Sequence, residues 1–323
     1  VKMMDREISE KCRDENDAVL AFIHLPKSAG TTFHSILIKQ YSERKHATSA
    51  GFKTLNELLL QEKDDLNELG VIRGHMNFGV HKYLQKPCQY ITILRDPVAR
   101  IISHYLYLQS ASHHPLYKRY IETSFSLREF ITMNIDNDNG QTRALAGINS
   151  ALALDSGINI EHGACTEKIF EEAIRNLNAC LVVGIQERFD ESLILAKRML
   201  RWKSPPVYIK QNVNITKPQE IDISDEEIRM LEDCNKYDFR IYKYAMKLLE
   251  SRIMAEDPSF SLEVEYFQAT NKFFQSEQKL DALFYREIQG YKKQLADWKK
   301  QLELRKRGIL GRIKDYYPIF SFN

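Results

Sequence analysis

The chain has 323 residues, 43% hydrophobic and 28% charged, enough to bury one large core and carry an appendage. Its 46 basic and 44 acidic side chains leave a formal charge of +2. That balance excludes a global field of the kind that draws nucleic acid, so any anion site is a local cluster. Five scattered cysteines (Cys12, Cys88, Cys165, Cys180 and Cys234), odd in number and without a CxxC pair, argue against a disulfide framework or a zinc site and are expected as buried thiols.

In chain order, Ala18 to His24 (AVLAFIH) is a short, nearly continuous apolar run, the pattern of a strand buried on both faces. A Pro/Gly loop follows, and Thr31 to Tyr41 reads as a helix. A second unit has a polar helix near Leu55 to Glu62, a short strand at Val71-Ile72-Arg73 and a break at Gly74-His75. A third has a strand at Gln89 to Leu94, ended by Arg95-Asp96-Pro97, and a helix running to Gln109. The segment from His113 to Gly163 carries scattered polar helices and turns and is expected to form one wall of a substrate cleft. Thr166 caps a helix ending near Asn178, Ala179 to Ile185 is another buried strand, and helices at Glu187 to Leu200 and Asp225 to Leu249 close the core. The alternation predicts an α/β fold, a P-loop-like three-layer core around a central parallel sheet. The domain boundary is expected after residue 257, with a helical extension over 258–323. There Phe284, Ile288, Tyr291, Leu295, Trp298 and Leu302 repeat at heptad spacing, a seam for a homo-oligomer or for packing back on its own domain. Arg305-Lys306-Arg307 and the aromatic end Tyr316 to Phe320 are a weak pattern for peripheral contact with a membrane surface.

The loop Pro26-Lys27-Ser28-Ala29-Gly30-Thr31-Thr32 leaves a buried strand and enters a helix, where unpaired backbone N–H groups and the positive end of the helix dipole face an anion. Gly30 allows close backbone approach, Thr31 and Thr32 add hydroxyls, and Lys27 adds a mobile charge. The spacing differs from the GxxxxGK[ST] of nucleotide triphosphate loops, because the lysine precedes the glycine by three residues; this counts against a kinase.

His24 to Phe33 (HLPKSAGTTF) resembles the 5′-phosphosulfate loop of carbohydrate sulfotransferases that use PAPS (3′-phosphoadenosine-5′-phosphosulfate), the branch of the heparan and chondroitin sulfate 2-O- and 6-O-sulfotransferases and their microbial relatives. Leu94 to Tyr105 is similar to the family's 3′-phosphate element, in which Arg95 and Ser103 would bind the donor's 3′-phosphate. Weaker likeness extends over Asp138 to Gly147 and Gly184 to Ser192, so the resemblance spans roughly Val19 to Ala245. It implies PAPS as donor, held by Lys27, Ser28, Ala29, Gly30, Thr31, Thr32, Arg95 and Ser103, with PAP as product and no metal. Lys27 would stabilise the departing phosphate. His75, after the second strand, is the first choice for the base that takes the acceptor's proton; His34, on the helix leaving the loop, is its rival. His24, at the end of a buried strand, reads as structural. Gln141 and Arg143 are expected to line the acceptor side, where a guanidinium meets an acidic sugar, or else to form an internal salt bridge.

The expected reaction is sulfuryl transfer from PAPS to a hydroxyl of a polysaccharide or glycolipid. A nucleotide-dependent phosphotransferase on a related core and a non-catalytic scaffold acting through the C-terminal helix are the alternatives. No run approaches the roughly 18 apolar residues of a membrane span, and the start of the chain is charged rather than signal-like. The expected location is therefore cytoplasmic, at a membrane periphery or not, and the Golgi lumen if an anchor precedes the chain. In that compartment the sequon at Asn214 becomes relevant.

Overall fold

The computed structural model describes residues 18–49, 68–109, 111–112, 117–133, 135–148, 160–209 and 223–277, with a few helical positions between 292 and 300. Five strands, β1 (Val19–Ile23), β2 (Lys45–Ser49), β3 (Leu69–Gly74), β4 (Cys88–Leu94) and β5 (Cys180–Ile185), form one sheet in the order β2-β3-β1-β4-β5. Every pairing is parallel. All five residues of β1 are buried, so both sheet faces are covered, which is why its sequence is a solid apolar run instead of an alternation.

The chain builds one side of β1 with β2 and β3, then crosses to build the other with β4 and β5. Register brings Ile23 opposite both Gly74 and Thr92. The carboxyl ends of β1, β3 and β4 thus finish level with one another around the reversal point, where open parallel sheets bind ligands.

The helices are α1 (Gly30–Gln40), α2 (Pro97–Leu108), α3 (Tyr117–Thr123), α4 (Leu127–Met133), α5 (Gly140–Leu145), α6 (Glu167–Asn178), α7 (Phe189–Met199), α8 (Asp225–Cys234) and α9 (Lys236–Met254). α1 lies against β1, with Phe22 and Phe33 ring centroids 4.7 Å apart. Each such buried aromatic contributes about 1.5–3 kcal/mol through area removed from water. α2 starts sharply because Asp96 accepts the Ala99 N–H at 2.9 Å and Pro97 occupies the first turn. Its apolar side, Ile101, Tyr105 and Leu108, packs into a second cluster with Phe125, Phe130 and Leu231. That packing fixes which face of α2 is left for the site.

Three local features depart from the expectations. β2 is an edge strand that the sequence reading did not contain: Lys45 and Thr48 are exposed and only Ala47 is buried. Thr166 precedes α6 but makes no side-chain cap bond. The single helix expected over Asp225 to Leu249 is two, broken at Asn235, whose amide donates to Asn137 O at 2.8 Å and Leu231 O at 2.9 Å. The helix near Leu55, the Asn214 sequon, the C-terminal basic and aromatic end and all six residues of the heptad seam lie outside the described residues.

The chain divides into two compact units, Val1–Ala269 and Thr270–Asn323. Within the first, the helical stretch after Pro258 adds Phe260, Val264 and Phe267 to the sheet core. Arg198 ties it down through Glu256, Asp257 and Glu263. Among the described residues no helix is long and apolar enough to cross a membrane.

Candidate active site at the head of the first helix

The loop between β1 and α1 is curled by two left-handed residues, Lys27 (φ 64°) and Ala29 (φ 57°). Non-glycine side chains resist that conformation by roughly 1–2 kcal/mol each. Such curling turns successive N–H groups into an anion-binding concavity. α1 carries no side-chain cap, so the head of the helix is left to the backbone and to whatever the loop binds.

Two buried donor atoms here make no hydrogen bond: Ser28 Oγ, in a residue only 1% exposed, and Arg95 Nε, which has Glu187 Oε1 as an ion-pair partner at 4.0 Å. A buried polar atom without a partner costs about 1–3 kcal/mol. At the end of a parallel sheet, a hydroxyl and a guanidinium N–H are groups that an anion satisfies.

Arg95, at the carboxyl end of β4, is locked to the loop, since Nη1 donates to Lys27 O at 2.9 Å. Its backbone is clamped by Gln141, which accepts from Arg95 N–H at 3.0 Å and donates to Arg95 O at 2.8 Å. Gln141 is therefore a brace behind Arg95. Glu187 holds the flank, accepting from Asp96 N–H at 3.2 Å and from the Tyr242 hydroxyl at 3.0 Å. Ser103 is half-buried on α2, one turn before Tyr107, so the two share a face. That face meets the loop, because Lys27 Nζ lies 3.8 Å from the centre of the Tyr107 ring. Burial first, and then the nearby Arg95 charge, bring the Lys27 pKa down to about 8.

On the other flank stand three histidines. His75 lies directly after β3 and stacks on His24, with centroids 4.2 Å apart and planes at 22°. His34, on α1, meets His24 edge-on at 5.4 Å. His75 Nδ1 is 3.0 Å from His24 O. A carbonyl only accepts, so Nδ1 carries the proton and the lone pair of neutral His75 is on Nε2. Burial lowers its pKa against smaller opposing effects of that hydrogen bond and of Asp136. Burial chiefly, then Arg73, lowers His34 to about 4; its Nε2 is buried without a partner. Both imidazoles are thus neutral at pH 7, as a base must be.

Of the site residues expected from sequence, Lys27, Ser28, Ala29, Gly30, Thr31, Thr32, His34, His75, Arg95, Ser103 and Gln141 come together around the loop. Arg143 does not. It is fully buried and saturated, pairing with the Asp138 carboxylate and donating to Asp138 O at 2.7 Å, Ile160 O at 3.0 Å and Glu161 O at 2.8 Å. Two residues escaped the sequence reading. Tyr107 could have been found as the position one helical turn beyond Ser103. Arg73 lies two residues before His75 at the end of β3, and its Nε donates to His46 Nδ1 at 3.3 Å. A small cleft borders the loop, lined by His24, Pro26, Arg100, Asp136 and Gln141. Among the described residues no group of three or more His, Cys, Asp or Glu side chains is arranged to hold a metal ion. Cys88, Cys165, Cys180 and Cys234 are free thiols. Burial pushes Cys165 and Cys180 up to about 12, which leaves them unreactive.

Fold and site together are those of an α/β protein with donor groups gathered at the head of its first helix. The model of the galactose-3-O-sulfotransferase family matches residues 8–275. Human heparan-sulfate 6-O-sulfotransferase 1 is 24% identical over 290 residues, covering 76% of this chain and 70% of its own. Heparan-sulfate 6-O-sulfotransferase 1-B of Danio rerio is 24% identical over 292 residues, covering 78% and 70%. Among solved structures, mouse sulfotransferase SULT7A1 complexed with PAP superposes with a TM-score of 0.40 at 13% identity, over 75% of this chain and 92% of that one. The chain belongs to the galactose-3-O-sulfotransferase family and is a carbohydrate sulfotransferase.

Proposed function

We propose that the protein transfers a sulfuryl group from PAPS to a hydroxyl of an acidic carbohydrate. The observation that carries this reading is the pair of buried donor atoms without a hydrogen bond, Ser28 Oγ and Arg95 Nε, beside the Lys27 loop that Arg95 holds. Loop N–H groups, Ser28 and Thr32 would hold the 5′-phosphosulfate, and Arg95 with Ser103 the 3′-phosphate. Bound PAPS supplies a sulfur whose bond to the phosphate oxygen breaks as the acceptor oxygen bonds to it, and PAP leaves with the bridging oxygen.

Lys27 supplies charge where the leaving oxygen becomes negative. Its hold on Tyr107 is a cation–π contact worth about 0.5–2 kcal/mol. Charge-assisted hydrogen bonds contribute about 1.5–3 kcal/mol each, so an anion in the loop draws the ammonium off the ring. With a pKa near 8 the lysine is mostly protonated at pH 7, and an adjacent anion raises that fraction. His75 takes the acceptor's proton on Nε2, Nδ1 being committed to His24 O.

The flank beside the histidines carries the Arg73 guanidinium, with Asp136 as the acidic group felt at His75. Arg73 has no carboxylate partner among the described residues, and its charge is felt at His34. An acceptor bearing carboxylate or sulfate suits that flank. Self-association through the heptad seam and contact of the C-terminal end with a membrane rest on sequence pattern alone. The test is transfer from ³⁵S-labelled PAPS to a panel of heparan, chondroitin, neutral polysaccharides and glycolipids. Label on the acidic glycans is expected; label confined to neutral acceptors, or none at all, would contradict the reading.

A further inference from the structure

The His24 side chain touches both halves of the site. On one flank its ring fills the space beside Gly30: a Cβ built on Gly30 would stand 1.8 Å from His24 Cδ2 and 1.9 Å from Nε2. This is why residue 30 is glycine, a demand made by the histidine ring and not by backbone dihedrals. On the other flank the ring stacks on His75 at 4.2 Å, and the His24 carbonyl takes the His75 Nδ1 proton. The backbone is pinned as well, the His24 N–H donating to Gly74 O at 3.0 Å. His34 and Phe22 also pack against the ring, with centroids 5.4 and 5.8 Å away. A ring confined in this way moves only if the Gly30 backbone or the His75 ring moves with it. Burial and the surrounding His75, His34 and Lys27 keep it uncharged, so it neither competes with Lys27 for the anion nor repels it.

We propose that His24 is a positioning residue that couples the two halves of the reaction: seating an anion on the Gly30 backbone sets, through the His24 ring, the orientation of His75. The proposal rests on His75 being the base. It states how donor occupancy is made known to the acceptor side. A core histidine that merely fills volume would stabilise the fold without linking the two.

The test uses the full chain with ¹⁵N-labelled histidine rings, His75 being assigned with His75→Gln, and PAP as the probe. In the wild type, PAP is expected to shift the His75 ring signals. In His24→Ala, PAP should bind within about threefold of wild type, while the His75 shift falls by half or more and kcat drops at least about tenfold with KM for PAPS little changed. His24→Phe keeps a flat ring between Gly30 and His75 and is expected to restore most of the shift. A His75 response equal in wild type and His24→Ala overturns the proposal, as does a wild type in which PAP binds and His75 is silent. If His24→Ala does not fold, His24→Phe decides: a lost response overturns the coupling, a retained one supports it. Failure of PAP to bind the wild type at all contradicts the donor site itself, and the coupling with it. PAP-induced His75 shifts in a protein whose rate is unaffected by His75→Gln would instead remove the base assignment, and with it the coupling's role in the reaction.

Discussion

Two regions meet across the Arg95–Gln141 contact and are built differently. The donor cradle, residues 25–32 with Arg95 and the Ser103–Tyr107 face of α2, keeps polar atoms unsatisfied and a lysine resting on an aromatic ring. The polar knot behind it, residues 136–143 with Asn235 and Asp238, is tied together by side-chain-to-backbone hydrogen bonds between distant parts of the chain. Asp238 accepts from the N–H groups of Gln141 at 3.1 Å and Thr142 at 2.7 Å, and Asn139 accepts from Tyr237 N–H at 2.8 Å. Each region contains an arginine, Arg95 half-buried and Arg143 fully buried. Arg143 is enclosed by the Asp138 carboxylate and backbone carbonyls and serves the fold, whereas Arg95 stands at the loop, where it would meet the donor.

The largest effect that tests this contrast is in the knot. Arg143→Ala leaves Asp138 buried without its cation and should cost about 3–5 kcal/mol of stability by denaturant unfolding. The affinity for PAP of whatever fraction remains folded should be close to wild type; a selective loss of PAP binding would move Arg143 into the site. In the cradle the expected pattern reverses. Ser28→Ala should leave unfolding unchanged or slightly improved, since the hydroxyl has nothing to bond in the ligand-free protein. PAP binding measured by calorimetry should weaken by about 0.5–1.5 kcal/mol, or about 2–12-fold. A destabilised Ser28→Ala with normal PAP affinity would erase the difference between the regions.

The smallest effect concerns pH. His75 must be neutral and burial lowers its pKa, so the acid limb of kcat/KM should lie below pH 6.5. Lys27 must be protonated and has a pKa of about 8, so the alkaline limb should begin near pH 8. Between pH 6.5 and 7.5 the rate should change less than about twofold. An acid limb above pH 7 would point to a base other than this imidazole.

The cradle was largely legible in the sequence because its signals are local. An apolar run, a Pro/Gly loop and a helix start lie within 25 residues, and Arg95 stands where a strand ends. The knot was not. Gln141 and Arg143 show polar side chains on a short helix, and only packing reveals that one braces Arg95 and the other is enclosed. The break at Asn235 has its cause at Asn137 and Asn139, about a hundred residues earlier in the chain. β2 offers no period-2 apolar pattern, because an edge strand with one buried side chain does not need one. His24 was read as structural from its place at the end of a buried strand, a reading that gave no sight of the rings at His34 and His75. The glycine that its ring demands lies six residues on, inside a motif with its own reason for glycine.

The central claim is that Lys27 acts on the leaving group and not merely on donor affinity. Single-turnover transfer of labelled sulfate by Lys27→Ala, measured beside its PAP affinity, tests this most directly. The rate is expected to fall about 10²–10³-fold, as for loss of one preorganised charge-stabilising donor, with PAP affinity reduced by less than tenfold. A rate within a few-fold of wild type at saturating PAPS would contradict the account.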